Sequence, residues 1–178
     1  MNMSIALIFI AVAWYSGICI SSEIYIAKAQ SAYDAKDWRA LRIYADKGYS
    51  SIVPLEPRYS LPVINYTGLA YFQWDKDKEK ALECFVKANR QHPNQIMVIN
   101  NIGSIYGAMG NYDQSAAYYR QTLQIFPHYE FGLLNLARAY YLDKKYDLAY
   151  QAILSCDPRT KNNEVNLLRI QIEKVLND

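Results

Sequence analysis

The sequence predicts an all-α solenoid, a fold in which helical hairpins stack one on the next. Tyrosines recur 34 residues apart, at Tyr106 and Tyr140 and again at Tyr112 and Tyr146. Other positions repeat with the same period: Ala81, Ser115 and Ala149; Phe85, Tyr119 and Ile153; Pro93 and Pro127. A fixed period of this length indicates repeated helical hairpins, which present surfaces to partners more often than pockets for chemistry.

The length, charge and cysteine content of the chain argue against several functional classes. The chain has 178 residues, and its 19 basic and 17 acidic side chains leave a net charge of +2. That balance argues against nucleic acid or an acidic substrate as the ligand. The three cysteines contain no CxxC pair, so we predict neither a disulfide framework nor a metal site.

The N-terminal segment is apolar. Residues 3–20 carry no charge, and 18 helical residues span ~27 Å, close to a bilayer core of ~30 Å. We therefore predict a single transmembrane helix in a domain covering residues 1–22. Lys28, Lys36 and Arg39 follow it, which favours cytoplasmic repeats. The alternative is a signal peptide cut after Ala29, which would leave a periplasmic or secreted protein.

Residues 23–57 are predicted to form a degenerate helical hairpin and a linker. The hairpin breaks at residues 34–37, and Trp38 stands where later hairpins carry Tyr112 and Tyr146. Prolines at 54, 57 and 62 then interrupt the helical pattern, since each disfavours helix at the residue before it.

Residues 58–178 are predicted to form three full hairpins and a capping helix over 162–176. The hairpin helices are predicted over 63–74 and 78–90, over 95–109 and 112–125, and over 129–142 and 146–154. The first turn is one residue longer than the other two, because Tyr71 and Ala81 are ten positions apart and Tyr106 and Ser115 are nine apart. We assign the extra residue to the surface turn, where insertions cost little.

These motifs resemble the tetratricopeptide repeat family. The match is fullest over residues 99–127, where Ile102-Gly103 stands for the family's Leu-Gly pair. Lys144 departs from the pattern, because the family expects a turn glycine there. The resemblance implies a structural role for the small, aromatic and proline positions: Gly68, Gly103, Tyr106, Tyr112, Tyr119, Tyr140, Tyr146, Pro93 and Pro127. Gly103 is expected at the close crossing of two helices.

A narrower resemblance concerns function. The stretches 61–66, 100–103 and 110–112 look like the repeat tails of bacterial O-antigen ligase or polymerase-like membrane proteins. That resemblance implies an accessory or tail piece of an enzyme of the bacterial envelope, with the chemistry elsewhere.

The family resemblance also implies a binding groove, lined by the first helix of each hairpin (the A helix). The groove positions that we predict to bind a protein or peptide are Asn65, Phe72, Met97, Asn100, Asn101, Ser104, Phe131, Asn135, Arg138 and Tyr141. Asparagine amides can pair with a peptide backbone as both donor and acceptor. The alternative is that these asparagines bridge adjacent A helices.

Three functions are therefore open: a membrane-tethered interaction scaffold, the enzyme tail, and an exported soluble adaptor. We expect no clamp for an acidic C-terminus, since Arg138 is the only basic side chain among the groove positions. We find no nucleophile–base pair and no phosphate loop, and predict no enzymatic activity, cofactor or metal.

Overall fold

The computed structural model describes residues 3–48 and 63–177, and every regular element in these ranges is helical. The chain divides into two compact units, unit 1 (Met1–Ala88) and unit 2 (Asn89–Asp178). The predicted all-α class and the helical-hairpin repeats are confirmed. The predicted linker prolines lie outside the described residues.

The first helix corrects the prediction of a membrane anchor. Helix α1 runs from Met3 to Asp34, so the apolar run over residues 3–20 is the first part of a longer helix. The later part of α1 packs against other helices of unit 1, and its residues Ile26, Ala29 and Ala32 are buried there. In the described part of the chain, no helix combines the length and the apolar character that a membrane crossing requires. The predicted single-pass membrane location with cytoplasmic repeats is therefore wrong, because the run was judged apart from the helix to which it belongs.

Three further helices are described in unit 1. They are α2 (Trp38–Gly48), α3 (Val63–Ala70) and α4 (Lys78–Gln91), and a π-helical turn over Tyr71–Asp75 prolongs α3. Their apolar faces meet in one core, because the buried side chains recur at helical spacing. The largest of the fully buried side chains in this core are Leu41, Tyr66 and Phe85.

Unit 2 contains five helices. They are α5 (Ile96–Ala108), α6 (Tyr112–Ile125), α7 (Glu130–Leu142), α8 (Tyr146–Leu154) and α9 (Asn163–Asn177). Consecutive helices pack as hairpins, α5 on α6 and α7 on α8, and α9 packs on both α7 and α8. Val165, Leu168 and Ile172 form the buried face of α9.

Two of the 34-residue ladders, the one from Ala81 and the one from Phe85, are core positions of the hairpins. Their members are all at most 5% exposed: Ala81, Ser115, Ala149, Phe85, Tyr119 and Ile153. A Cβ atom added to Gly103 would lie 2.8 Å from Cε1 of Tyr119, and one added to Gly68 would lie 2.7 Å from Cε1 of Phe85. Both glycines therefore stand where a ring of the following helix packs against the backbone.

The hairpin turns share one backbone conformation. Each has a single residue with positive φ, namely Lys36, Lys76, Gly110 and Lys144. The amide after it donates back to the preceding helix, as from Asn111 N to Tyr106 O at 2.9 Å. Because the α1–α2 turn has the same bond and the same φ sign as the others, the N-terminal hairpin belongs to the same structural series.

The extra residue of the α3–α4 hairpin lies in the helix and not in the surface turn. In the other three turns the closing bond spans five residues, whereas from Asp77 N to Tyr71 O it spans six. The additional residue widens the end of α3 into the π-helical turn. Arg42 packs on this turn, with its guanidinium carbon 3.9 Å from the centre of the Tyr71 ring, and it forms an ion pair with Asp75.

Candidate functional site

The candidate site lies on the A helices of unit 2, α5, α7 and α9, and we call this surface the A face. Because side chains three or four positions apart share one side of a helix, α5 presents Met97, Asn100, Asn101 and Ser104 together. Helix α7 presents its own set with the same spacing. The structure thus places the predicted groove residues of unit 2 on one surface.

Polar side chains cross the A face in a continuous row, which we call the amide row: Asn100, Asn135, Arg138 and Glu164. Asn135 Nδ2 donates to Asn100 Oδ1 at 3.4 Å, and Arg138 Nη1 donates to Asn135 Oδ1 at 3.3 Å. The row therefore bridges the A helices, which is the alternative that the sequence left open. Both of these hydrogen bonds are long for an N–H···O bond. The amide group of a ligand could therefore compete for either hydrogen bond.

Arg138 is held by an acidic neighbour. Its Nη2 lies 2.9 Å from Glu164 Oε2 on α9; the Glu164 side chain is largely exposed and the Arg138 side chain is partly exposed. The start of α9 is fixed by Asn162, whose Oδ1 accepts from Glu164 N and whose Nδ2 donates to Glu130 Oε1. Since the guanidinium already has a carboxylate partner, an acidic ligand would have to displace Glu164.

A cleft of about 280 Å³ opens beside the amide row, between α5, α6 and α7. Ser104, Tyr119, Asn135 and Arg138 supply polar atoms to its lining. The Ser104 and Tyr119 hydroxyls lie 3.1 Å apart. Burial raises the pKa of Tyr119, although its hydrogen bond to Ser104 opposes the shift. The phenol is therefore neutral at physiological pH and serves as a hydrogen-bonding group.

Apolar side chains gather at the other end of the A face, and we call this group the aromatic platform: Met97, Phe126, Tyr129 and Phe131. The Tyr129 ring centre lies 6.2 Å from that of Phe126 and 6.0 Å from that of Phe131. The Tyr129 hydroxyl donates to Met97 Sδ at 3.3 Å. Phe131 is 59% exposed and Phe126 is 48% exposed, so the platform offers ring faces to a ligand.

Two of the remaining predicted groove residues are partly buried on α5 and α7, and two lie in unit 1. Asn101 is half-buried on α5, and Tyr141 packs edge-on against Tyr146 with ring centres 5.6 Å apart. In unit 1, Asn65 is completely buried and Phe72 is half-buried in the π-helical turn. Asn65 therefore offers no surface to a ligand.

Sequence reasoning missed three residues of the site, Phe126, Tyr129 and Glu164. The first two were passed over because they stand beside the repeat-ending Pro127, outside the helical stripe. A usable signal existed for Glu164, because it lies 34 residues after Glu130 and thus occupies an A-helix position.

Unit 1 has a cleft of its own, about 460 Å³ in volume, between α2, α3 and α4. Its lining includes Asp46, Thr67, Glu83, Cys84 and Lys87. Burial raises the pKa of the Cys84 thiol to about 11, so the thiol is protonated at physiological pH. Across the described ranges, no three His, Cys, Asp or Glu side chains are grouped as a metal site.

Comparison with known proteins bears on the fold. A family model described as a tetratricopeptide repeat matches residues 101–129. No curated protein is similar enough to match the sequence. Among solved structures, MamA (MSR-1) is 16% identical with a TM-score of 0.68, over 89% of this chain and 88% of that chain. A tetratricopeptide repeat protein from Parabacteroides merdae is 20% identical with a TM-score of 0.68, over 88% of this chain and 60% of that one.

A third solved structure contains a ligand. It is the first tetratricopeptide repeat domain of Spaghetti (RPAP3), bound to the HSP90 peptide SRMEEVD. Identity is 17% and the TM-score is 0.60, over 65% of this chain and 92% of that chain. None of these three is an O-antigen ligase or polymerase, so they give the narrower resemblance no support. The sequence motifs, the family match and the shared fold together confirm the resemblance of this chain to the tetratricopeptide repeat family.

Proposed function

We propose that this chain is a protein-interaction scaffold and that the A face of unit 2 binds a peptide segment of its partner. The observation that carries the proposal is that an exposed aromatic platform, on α5, α7 and the turn before α7, lies beside the amide row, on α5, α7 and α9. Aromatic anchors and amide side chains are the combination that peptide-binding surfaces use, since the rings bury apolar side chains and the amides pair with the backbone.

The charge around Arg138 favours a particular class of peptide. Glu164 lies 2.9 Å from Arg138 and neutralises the one basic group of the amide row. A strongly acidic peptide would face this carboxylate without a free cation beside it. The solved relative that holds the peptide SRMEEVD is thus a precedent for peptide binding in this fold, and we expect a different ligand here. We infer a neutral peptide with an apolar or aromatic anchor residue.

The aromatic platform and the amide row would bind different parts of the peptide. Exposed rings at Phe126 and Phe131 would take an apolar side chain, whose burial supplies ~1.5–3 kcal/mol for a fully buried residue. Asn135, which is half-buried, would exchange its long hydrogen bond to Asn100 for a bond to the peptide backbone, whereas Asn100 is only 9% exposed. Such an exchange costs little, because a stretched bond is replaced by a shorter one.

A peptide library displayed on phage and selected against the full chain tests the proposal, because selection does not require the partner to be identified. Peptides with an apolar anchor and little negative charge should be enriched. The triple variant Asn101→Ala, Asn135→Ala, Arg138→Ala should lose most of its affinity for them, and so should Phe131→Ser.

The matched control replaces amides on the opposite helix of the same hairpin. Gln121→Ala with Gln124→Ala changes two exposed side chains of α6, and it should bind the selected peptides like the wild type. All variants must keep the wild-type melting temperature within a few degrees. Enrichment of peptides that bind the triple variant undiminished would reject the A face as the binding surface.

A further inference from the structure

The α5–α6 hairpin carries glycine at a position where the other hairpins carry an aromatic ring. The position directly follows the residue whose carbonyl closes the turn, and in chain order it holds Tyr33, Phe72, Gly107 and Tyr141. In the α1–α2 and α7–α8 hairpins, its ring packs edge-on against the first residue of the second helix, with ring centres 6.2 Å and 5.6 Å apart. The first residue of α6, Tyr112, instead lines the cleft of 280 Å³ together with Gly107. The glycine therefore leaves open a space that a ring fills in those hairpins.

Two hydroxyl groups line this cleft at positions that are apolar in the neighbouring hairpins. They belong to Ser115 and Tyr119. The equivalent residues of α4 and α8 have no polar side-chain atom: Ala81, Ala149, Phe85 and Ile153. Because alanine and an apolar side chain satisfy the packing at these positions elsewhere, the fold alone does not require the hydroxyls.

The Ser115 hydroxyl is buried without a partner. The side chain is 1% exposed, and its Oγ has no hydrogen-bond partner among the described residues. Only 3.1 Å separates this Oγ from the place that a Cβ atom on Gly107 would occupy, so it lies at the floor of the cleft. A buried hydroxyl without a partner costs about 1–3 kcal/mol, which alanine would avoid. The hydroxyl therefore indicates a ligand group that enters the cleft.

The hydrogen bonds of the cleft determine which atoms a ligand can use. Ser104 has one hydroxyl hydrogen and donates it to Asn100 O at 3.0 Å, so Tyr119 is the donor in its 3.1 Å contact with Ser104. The Tyr119 oxygen then remains an acceptor, whereas Ser115 Oγ can both donate and accept. Ser115 and Tyr119 are four positions apart on α6, so their hydroxyls lie one turn apart on the same side of the helix.

We propose that this cleft binds a primary carboxamide, the side chain of a glutamine in the peptide that the A face binds. A carboxamide has its acceptor and its donor on separate atoms, so its oxygen can accept from Ser115 while its nitrogen donates to Tyr119. A carboxylate could not donate to Tyr119, and an ammonium group could not accept from Ser115. Glu164 already neutralises Arg138 beside the cleft, which favours a neutral group. Only the source of the carboxamide rests on the proposed function.

Titration of the isotope-labelled full chain with propionamide, followed by NMR, tests the chemistry without any peptide. The backbone amide signals around Gly107 and Ser115 should shift, with a Kd on the order of 10 mM because the ligand is so small. Propionate and n-propanol should bind roughly fivefold more weakly or worse, since neither offers a donor and an acceptor on separate atoms.

Variants of the cleft separate binding from folding. Ser115→Ala should abolish propionamide binding and melt at or above the wild-type temperature, because alanine holds this position in two other hairpins. Gly107→Tyr supplies the ring that α7 carries and should close the cleft. Tyr119→Phe should weaken binding roughly fivefold to tenfold. Its matched control is Tyr118→Phe, which changes the neighbouring tyrosine outside the cleft lining and should bind like the wild type.

Phage selection on the full chain tests the source of the carboxamide. Among peptides that share the apolar anchor, glutamine should be enriched at one fixed distance from it. Selection on Ser115→Ala should keep the anchor and lose this preference. Exchange of the selected glutamine for methionine should weaken binding to the wild type roughly tenfold and leave binding to Ser115→Ala nearly unchanged.

Each part of the proposal has a result that would overturn it. Signals that do not shift with propionamide, or that shift equally in Ser115→Ala, exclude the carboxamide site. Equal affinity for n-propanol excludes selectivity for a carboxamide. Anchored peptides without a preferred glutamine leave the proposed function standing and exclude glutamine as the source. If propionamide binds but no peptide is enriched, the A face does not bind peptides, and the glutamine source is rejected with it.

Discussion

The hairpin α3–α4 of unit 1 and the hairpin α5–α6 of unit 2 have turns of the same backbone conformation. The α3–α4 hairpin is longer by one residue. In α5–α6 the helix stays regular to Ala108 and the turn closes over five residues at Gly110. In α3–α4 the extra residue opens a π-helical turn, and Arg42 from α2 packs on it. A repeat can thus absorb an insertion inside a helix when a neighbouring element stabilises the distortion.

Both hairpins keep a glycine at the helix crossing, and substitutions there should be the most destabilising. Gly103→Leu and Gly68→Leu should each destabilise the protein by ~1–3 kcal/mol or more, because the buried rings of Tyr119 and Phe85 must move to admit a side chain. Thermal denaturation followed by circular dichroism measures the loss.

The control for the glycines is Gly17→Leu on α1, where an added Cβ meets nothing within 4 Å. That variant should melt at or above the wild-type temperature, since leucine favours helix over glycine. If only Gly103→Leu is destabilising, the crossing in unit 1 is looser than its distances indicate.

The second effect concerns the contact of Arg42 with the π-helical turn, which belongs to unit 1. Arg42→Ala should destabilise unit 1 by about 1–2 kcal/mol, because it removes a cation–π contact and a hydrogen bond to Tyr71. Nη2 of Arg42 donates to the Tyr71 hydroxyl at 3.0 Å. Hydrogen exchange should show faster opening of α3 and the π-helical turn, with α5 and α6 unchanged.

Arg39→Ala is the matched control on the same helix, since this arginine is exposed. It should leave both melting and exchange as in the wild type. Equal protection of α3 in Arg42→Ala and wild type would show that the π-helical turn is stable without its arginine.

A smaller effect is expected at the turn residue itself. Lys76 and Lys144 adopt positive φ, which glycine adopts at no steric cost. Lys144→Gly should therefore stabilise the protein by ~0.5–1 kcal/mol, and Gly110→Lys should destabilise it by a similar amount. Chemical denaturation midpoints provide the measurement. Lys161→Gly, at a position without positive φ, should give no such gain.

The smallest effect is electrostatic. In unit 2, Lys145 Nζ lies 2.7 Å from Asp113 Oδ1, and this hydrogen bond and charge lower the pKa of Asp113 below its ordinary value of 3.8. The folded protein thus holds this carboxylate ionised at a pH where the unfolded chain begins to protonate it. Stability from the pair is complete above about pH 5 and is lost as pH falls through the lowered pKa.

The corresponding ion pair in unit 1 joins Asp77 and Lys80, which are only three residues apart. The pKa of Asp77 is lowered first by the backbone N–H of Lys80 and then by the Lys80 side chain. Lys145→Met should therefore reduce the acid-induced fall in melting temperature, and Lys80→Met should reduce it less. Lys144→Met, next to the pair, should leave the pH profile unchanged. An identical profile in Lys145→Met and wild type would mean that solvent screens the pair completely.

Much of the fold was predictable because apolar residues that recur with a fixed period in the sequence are the ones that become buried. The ladder through Phe85, Tyr119 and Ile153 is buried throughout, and the predicted helices of unit 2 agree with the observed ones to within one residue at each end. The π-helical turn was not predictable, because an extra residue fits a surface turn equally well until Arg42 is placed against Tyr71. The length of α1 was likewise misjudged, since an apolar run does not reveal where its helix ends.

The candidate site was predictable only in part. Spacing on the A helices placed Asn100, Asn135 and Arg138 on one face. It did not reveal that Glu164 holds Arg138, because that contact joins residues 26 positions apart on different helices. The aromatic platform depends on Phe126 and Tyr129, which flank a proline turn and follow no helical period.

The glycine at the α5–α6 turn has a practical consequence for amine chemistry. The turns at Lys36, Lys76 and Lys144 each carry an exposed amine, whereas no lysine at all occurs between Lys87 and Lys144. Amine-reactive dyes, cross-linkers and sensor surfaces will therefore attach elsewhere and leave α5, α6 and α7 unlabelled. A lysine-specific protease will likewise release those three helices as one uncut fragment that carries most of the amide row and the whole aromatic platform.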